Sequence, residues 1–455
     1  MITEAFALPP PPAWPGPARP LDWAGVTHFS GSIMRLSTIA VAFVSIAFAA
    51  SISYAAEAPA PKPAVTKPVP PVKAPAKMAA TETAPDVTAA SLLGADVKGE
   101  NWEVASAVHS DGFLRIFSVK TPYGDFQVNG VRRMKERINE LRALSVLEKM
   151  SRTKAFGDAL AKAGMAPIKF GRDLILDPVE TTGNFVTGVG KMFNNIYTGV
   201  KNRGKGRDPL LESVIGITKA ERDLAAELNV DPYTDFTPLR NGLEDVAHAI
   251  AAGDLTVTGA LSAIPGGAGI AVGATSTAST VAASIKDKTS TEIAQLVTKK
   301  LQGMGVDEAT TKAFVANTNY TPADQYEISD SLEKLGAANA SAYIARANEA
   351  TTADVAKFMR YRAELLAMDT AKLGTLKDFT IVSDMAINHD AKGRLVGAFP
   401  FDGVYWTDSV AQSLTRLSND MKSVNRPRAI ASTGALSPMA TAKLKGMGWA
   451  VMRAN

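Results

Sequence analysis

The chain has 455 residues, 46% of them hydrophobic, with a formal charge of +4 and no cysteine. That length and composition suffice for two or three domains with a sizeable core. The missing thiol excludes disulfide staples, thiol catalysis and a lipidated N-terminal cysteine, and the mild positive charge gives no argument for nucleic acid as a partner. The four histidines, His28, His109, His248 and His389, lie far apart, and none has a second histidine at ligand spacing. Neither a metal site nor a cofactor is therefore expected.

Residues 1–33 are proline-rich, with a run from Pro9 to Pro12, and hold no basic cluster. They read as a disordered stretch upstream of a true start at Met34. Met34 and Arg35 are followed by an uncharged apolar run to Ser51 and by small residues around Ser53 and Ala55. Residues 34–55 thus read as a secretory signal peptide cut before Ala56, which predicts a periplasmic or secreted protein. As an uncleaved anchor the run would be near the lower length limit for spanning.

Residues 56–100 read as a disordered linker. Seven prolines between Pro59 and Pro75 alternate with Ala, Val and Lys62, Lys67 and Lys73. Such a chain favours polyproline II, and at about 3.1 Å per residue its 59–77 part would reach roughly 55–60 Å. Its composition is similar to the Pro/Lys spacers of energy-transducing envelope proteins such as TonB.

The segment 101–129 predicts a three-stranded β-meander. Trp102–Val108, Phe113–Val119 and Tyr123–Val128 are separated by the turn clusters His109–Gly112 and Thr121–Gly124. A helix is predicted over about 130–150, where Met134, Ile138, Leu141, Leu144 and Leu147 share one face. Its arginines, interleaved with Glu136, Glu140 and Glu148, read as a solvated face of a packed helix. Further helices are predicted at about 152–163, 177–200 and 218–228, the second rich in glycine.

From Leu255 to Ile285 no residue is charged, and Gly269 and Gly273 have G-x-x-x-G spacing. Its Thr and Ser residues favour a buried helical hairpin over a lipid-facing span. Between 288 and 369 the helix-opening signals are strong: Thr289 with Glu292, Asp307, Thr321-Pro322 with Asp324, and Thr352 with Asp354. Short connections there predict a bundle, and 130–370 is assigned to one α-helical domain. From 376 to 455 strands and helices alternate in a ββαβαβ order, which predicts a small, partly parallel α/β domain. The expected fold is mainly α: an N-terminal β-meander, a large helical domain and a small C-terminal α/β domain.

Two motifs resemble known sites. Gly199–Gly206 nearly spells a phosphate-binding P-loop, but Gly206 stands where Ser or Thr should hold magnesium and no strand precedes it. It reads as a basic loop. Gly303-Met-Gly305-Val306-Asp307-Glu308 resembles the calcium loop of one annexin repeat; with Val306 in place of the usual Thr and no second copy, it reads as glycines ending a helix before an acidic first turn.

The polar candidates lie in the C-terminal domain. His389, Asp402 and Ser437 have the residue types of a hydrolytic triad, and Thr433 and Gly434 lie between a strand and a helix, where N–H groups could hold an anion. Each also has a structural reading, as a cap or a turn residue. The expected function is that of an exported bacterial envelope-associated structural or interaction protein without catalytic activity, its partner an envelope protein or the membrane surface. The alternatives are a periplasmic hydrolase or ligand-binding enzyme with its site in the C-terminal domain, and a membrane-inserting protein using 255–285.

Overall fold

The computed structural model describes residues 80–164, 166, 189, 217–252, 255–264, 284–368, 373–422 and 424–454. The signal peptide, the residues before it, the linker up to 79, the Gly-rich segment 177–200 apart from Val189, the near-P-loop and residues 265–283 lie outside them.

Part of the segment assigned to the linker is folded. Val87–Thr88 (β1) is followed by the short helix Ala89–Leu93 (α1), and β1 pairs antiparallel with Ala107–Ser110 (β3), Val87 opposite Val108. Leu93 is buried, so a short apolar patch past the prolines is enough to dock the chain. Arg115–Lys120 (β4) forms the centre of this sheet. Phe126–Asn129 (β5) runs along one side of it, while Glu103–Val104 (β2) and β3 share the other. The sheet therefore has five strands. Ile116, Phe117 and Val119 of β4 suit a pleated strand covered on both faces.

Gly130, at φ 98°, turns β5 into the long helix Val131–Ser151 (α2). Met134, Ile138, Leu141, Leu144 and Leu147 bury one stripe, as the spacing predicts. The arginine face is not solvated, however: Arg133 and Arg137 are buried too. Lys154–Ala163 (α3), Lys219–Glu227 (α4), Thr237–Ala252 (α5) and Val257–Ser262 (α6) complete this first core with the sheet.

A second core is built from Ser290–Gly303 (α7), Glu308–Val315 (α8), Pro322–Leu335 (α9), Ala340–Ala347 (α10) and Ala353–Met368 (α11). Helix α9 opens with a full capping box, Thr321 with Asp324, and Pro322 in its first turn. Asp307 caps α8 by accepting from Thr310 N at 2.9 Å, after Gly305 turns the chain at φ 77°.

The same core holds Leu376–Val382 (β6), Met385–Asp390 (β7), Leu395–Phe399 (β8), Arg428–Ser432 (β10) and Trp449–Arg453 (β12). These form one mixed sheet in the order β12-β10-β8-β7-β6, with β8, β10 and β12 parallel and β6 and β7 antiparallel. Asp408–Lys422 (α12) and Pro438–Gly446 (α13) are the crossovers, and Gly403–Val404 (β9) pairs with Ala435–Leu436 (β11). Arg362 of α11, only 2% exposed, donates from Nε to Ala398 O at 3.0 Å and bonds Ala386 O, fastening α11 to the sheet.

The mainly-α expectation is therefore corrected. Among the described residues the fold is mixed α/β, with thirteen α-helices and twelve strands. The helices assigned to one domain divide between two cores. The C-terminal strands share the core of α7–α11 because the apolar faces of those helices need the sheet to cover them. Phe113, from the β3–β4 turn, crosses over and stacks on Phe401 at 4.4 Å.

Candidate functional site

Where the two cores meet, charge is buried. Arg133, Glu136, Arg137 and Glu140 recur at three- and four-residue steps and so share a face of α2. Opposite them α11 presents Lys357, Arg360, Tyr361 and Glu364, and α9 adds Asp324 and Glu327. The turn between α4 and α5 supplies Asn229, Asp231, Thr234 and Asp235.

Arg360 is the hub. Its guanidinium bonds Glu136 and lies 3.3 Å from Asp324. Its Nε is 3.1 Å from Glu327 Oε2 and 3.3 Å from Glu364 Oε1, without the alignment of a hydrogen bond. Tyr361 donates its hydroxyl to Glu136 at 2.6 Å, Lys357 pairs with Asp324 at 2.7 Å, and Arg132 bonds Glu364. Arg133 reaches Asp235 Oδ2 at 2.6 Å, and Arg137 pairs with Glu140 at 2.8 Å while lying 4.1 Å from the Phe236 ring. Asn129 donates to Asp354 at 2.6 Å, and Thr321 donates to Asp231 at 3.0 Å.

Five cations, Arg132, Arg133, Arg137, Lys357 and Arg360, thus face eight carboxyls: Glu136, Glu140, Asp231, Asp235, Asp324, Glu327, Asp354 and Glu364. Burial penalises ionised Glu136, but Arg360, Lys357, Arg133 and Arg132 outweigh it and hold its carboxyl at about 2. Arg133 and Arg137 likewise overcome burial and hold Asp235 well below the usual range. Where cations are short, burial wins. It raises Asp231 to about 6 against the pull of Lys357, raises Asp354, and with Glu364 beside it raises Glu327 well above the usual range against Arg360. The acids that exceed the available cations are the ones pushed toward their neutral form.

A cavity of about 70 Å³ opens inside the cluster, lined by Glu140, Asn229, Asp231, Glu327, Lys357 and Arg360 among others. Among the described residues no group of three or more His, Asp or Glu side chains is arranged to hold a metal ion.

The residues singled out from sequence lie elsewhere and do not converge. On β7, His389 Nδ1 is 2.6 Å from Asp378 of β6. Asp402 accepts from Arg115 N at 2.8 Å and Val131 N at 3.0 Å, so it caps α2 from the other core. Burial raises its carboxyl to about 6 despite those N–H groups. Ser437 caps α13, accepting from Ala440 N at 2.9 Å, and bonds Glu82. Among the described residues no hydrogen bond or ion pair joins any two of these three. The N–H groups of Thr433 and Gly434 are donated to the carbonyls of Phe399 and Phe401, and Thr433 Oγ1 donates to Phe401 O at 2.6 Å, so neither is turned toward an anion. A side chain at 434 would meet Asp402 O at 2.0 Å; the glycine serves this close backbone approach.

Matched against known protein families, curated proteins and solved structures, the chain finds no counterpart. The site therefore rests on its own geometry. The buried cluster escapes a sequence reading because i, i+4 charge pairs on α2 look the same whether water or α11 covers them. One signal for it exists: Lys357, Arg360 and Glu364 repeat the α2 spacing within a helix otherwise rich in apolar residues.

Proposed function

We propose that this chain is an exported bacterial envelope-associated structural or interaction protein that performs no covalent chemistry. One observation carries the reading: each of the three residues with triad chemistry already has a structural bond. Asp402 holds the start of α2, Ser437 holds α13 and Glu82, and His389 is paired with Asp378 across two strands. A nucleophile needs a base within hydrogen-bond reach, and Ser437 has the Glu82 carboxylate there but no histidine. The leader at 34–55 supports export. Of the uncharged segment, residues 255–264, 284 and 285 are described; the first stretch contains α6, with Ala260 and Ile264 buried in the first core. No helix among the described residues is long and apolar enough to cross a membrane.

Fractionation of the source cells, N-terminal sequencing and in-cell cross-linking test the proposal. The expected result is a chain starting near Ala56, in the envelope or medium, cross-linked to another envelope component. A cytosolic chain that retains residues 34–55 would refute export. An ester- or peptide-cleaving activity abolished by Ser437→Ala in a folded variant would refute the non-catalytic reading.

A further inference from the structure

We propose that the end of the C-terminal sheet at which β8, β10 and β12 begin docks on the anionic headgroups of a phospholipid bilayer. Strand pairing fixes what gathers there. Arg428 lies opposite both Leu395 and Trp449, so the three parallel strands start level and the loops before them share one end of the sheet. The loops also touch. Leu395 N donates to Pro427 O at 2.8 Å, Arg428 bonds Met447 O, and a side chain at Gly393 would lie 3.4 Å from Arg426 Nη1. Helices α12 and α13 end here too, with Lys422, Lys443 and Lys445 in their last turns.

The charge at this end is one-sided. From Met421 to Asn455 the sequence carries six Lys or Arg residues and no Asp or Glu, although the whole chain is only +4. Among the described residues Lys392, Lys422, Arg426, Lys443 and Lys445 have no ion pair. The three lysines of the last turns complement the helix dipoles, but Lys392 and Arg426 are exposed in loops outside any helix. The acids close by are engaged: Asp390 is buried and pairs with Arg394 at 2.6 Å, Asp378 pairs with His389, and Asp420 bonds Ser383. Like charges gathered at one end repel, and an anionic partner relieves that repulsion.

Val424 selects a bilayer over nucleic acid. It is one of three large apolar side chains exposed among the described residues, at 39%, and it lies between Lys422 and Arg426 where Asn425 turns the chain at φ 48°. An apolar tip flanked by cations can reach below the headgroups while the cations stay with the phosphates. Bases stack on exposed aromatic rings, and Trp449, the aromatic side chain of these loops, is buried. The choice of lipid rests on the envelope-associated reading above.

Cosedimentation of the chain from Ala56, which keeps every described residue, tests this with vesicles of phosphatidylcholine alone and of phosphatidylcholine and phosphatidylglycerol in equal parts. Binding is expected to the anionic vesicles only, and it should fall at least about tenfold between about 0.1 M and about 1 M salt. Each cation at an anionic surface strengthens binding about fivefold, so Arg426→Glu with Lys445→Glu should weaken it about 25-fold or more. Lys299→Glu with Lys312→Glu, exposed on α7 and α8, changes net charge equally and should alter binding by less than about threefold. Val424→Gln should weaken it about threefold or more. All five positions are exposed, so the variants should keep the fold, which far-ultraviolet circular dichroism checks. No binding to anionic vesicles, no loss or equal losses from the two charge reversals, full binding by Val424→Gln, or tighter binding to duplex DNA would each overturn the proposal. An exported chain that ignores vesicles would overturn this docking alone, and a cytosolic chain that binds them would overturn export alone.

Discussion

Arg362 shows how far one side chain can be taken from water when the backbone receives it. Among the described residues it has no carboxylate partner; its guanidinium bonds two sheet carbonyls and lies 4.9 Å from the Phe399 ring. Burial lowers its pKa, the sign of a charge held at a cost. Arg362→Ala is expected to destabilise by about 3–5 kcal/mol in urea unfolding, with Arg362→Met recovering most of that, since the stem fills the space and removes the buried charge. Asp402 and Glu136 respond to pH in opposite senses. Asp402 is raised when folded, from 3.8 to about 6, so the folded state keeps its proton longer and stability falls as pH climbs from about 4 through 6. The loss is about 3 kcal/mol, and Asp402→Asn should remove that slope in unfolding measured at pH 4 and pH 7. Glu136 is lowered from 4.5 to about 2, so its contribution is full above about 4.5 and disappears as pH falls through 2.

Helix starts were readable because capping is local chemistry. Thr289 with Glu292 and Thr321 with Asp324 are capping boxes in the structure, spelled out by four consecutive residues each. The apolar stripe of α2 was readable for the same reason. What covers its arginines was not, since a charge pattern states its spacing and not its neighbours. Strand β1 escaped notice because two residues carry no period, and its place in the sheet is set by Ala107 and Val108 on β3, beyond an intervening helix and strand. The candidate site was almost wholly illegible: its carboxyls and cations come from α2, α9, α11 and one turn, and no local rule links residues 136 and 360. Thr321 tests the difference. Thr321→Ala should cost about 1–2 kcal/mol, more than Thr289→Ala, because Thr321 also donates to Asp231 while Thr289 only caps α7. Urea midpoints of the two variants check it.

For the whole molecule the consequential fact is that α7–α11 and the C-terminal sheet bury one core together. Phe113 and Phe358 both lie against Phe401, and Arg362 ties α11 to β7 and β8. A fragment of residues 284–370 should therefore show no cooperative urea transition and little near-ultraviolet circular dichroism, whereas 80–455 should show both. A fragment that folds by itself would restore the reading of a self-sufficient helical bundle.

Glu82 ties the segment before β1 to the C-terminal part of the fold. Its backbone N–H bonds Trp406 O at 2.9 Å, and its carboxylate holds Trp406 N and Ser437. A force applied at residue 82 would therefore be felt at Trp406 and at the start of α13, more than 320 positions downstream, before reaching the first strand. Residue 82 and the last quarter of the chain are thus mechanically in series at a clasp, and a pull on one is borne by the other.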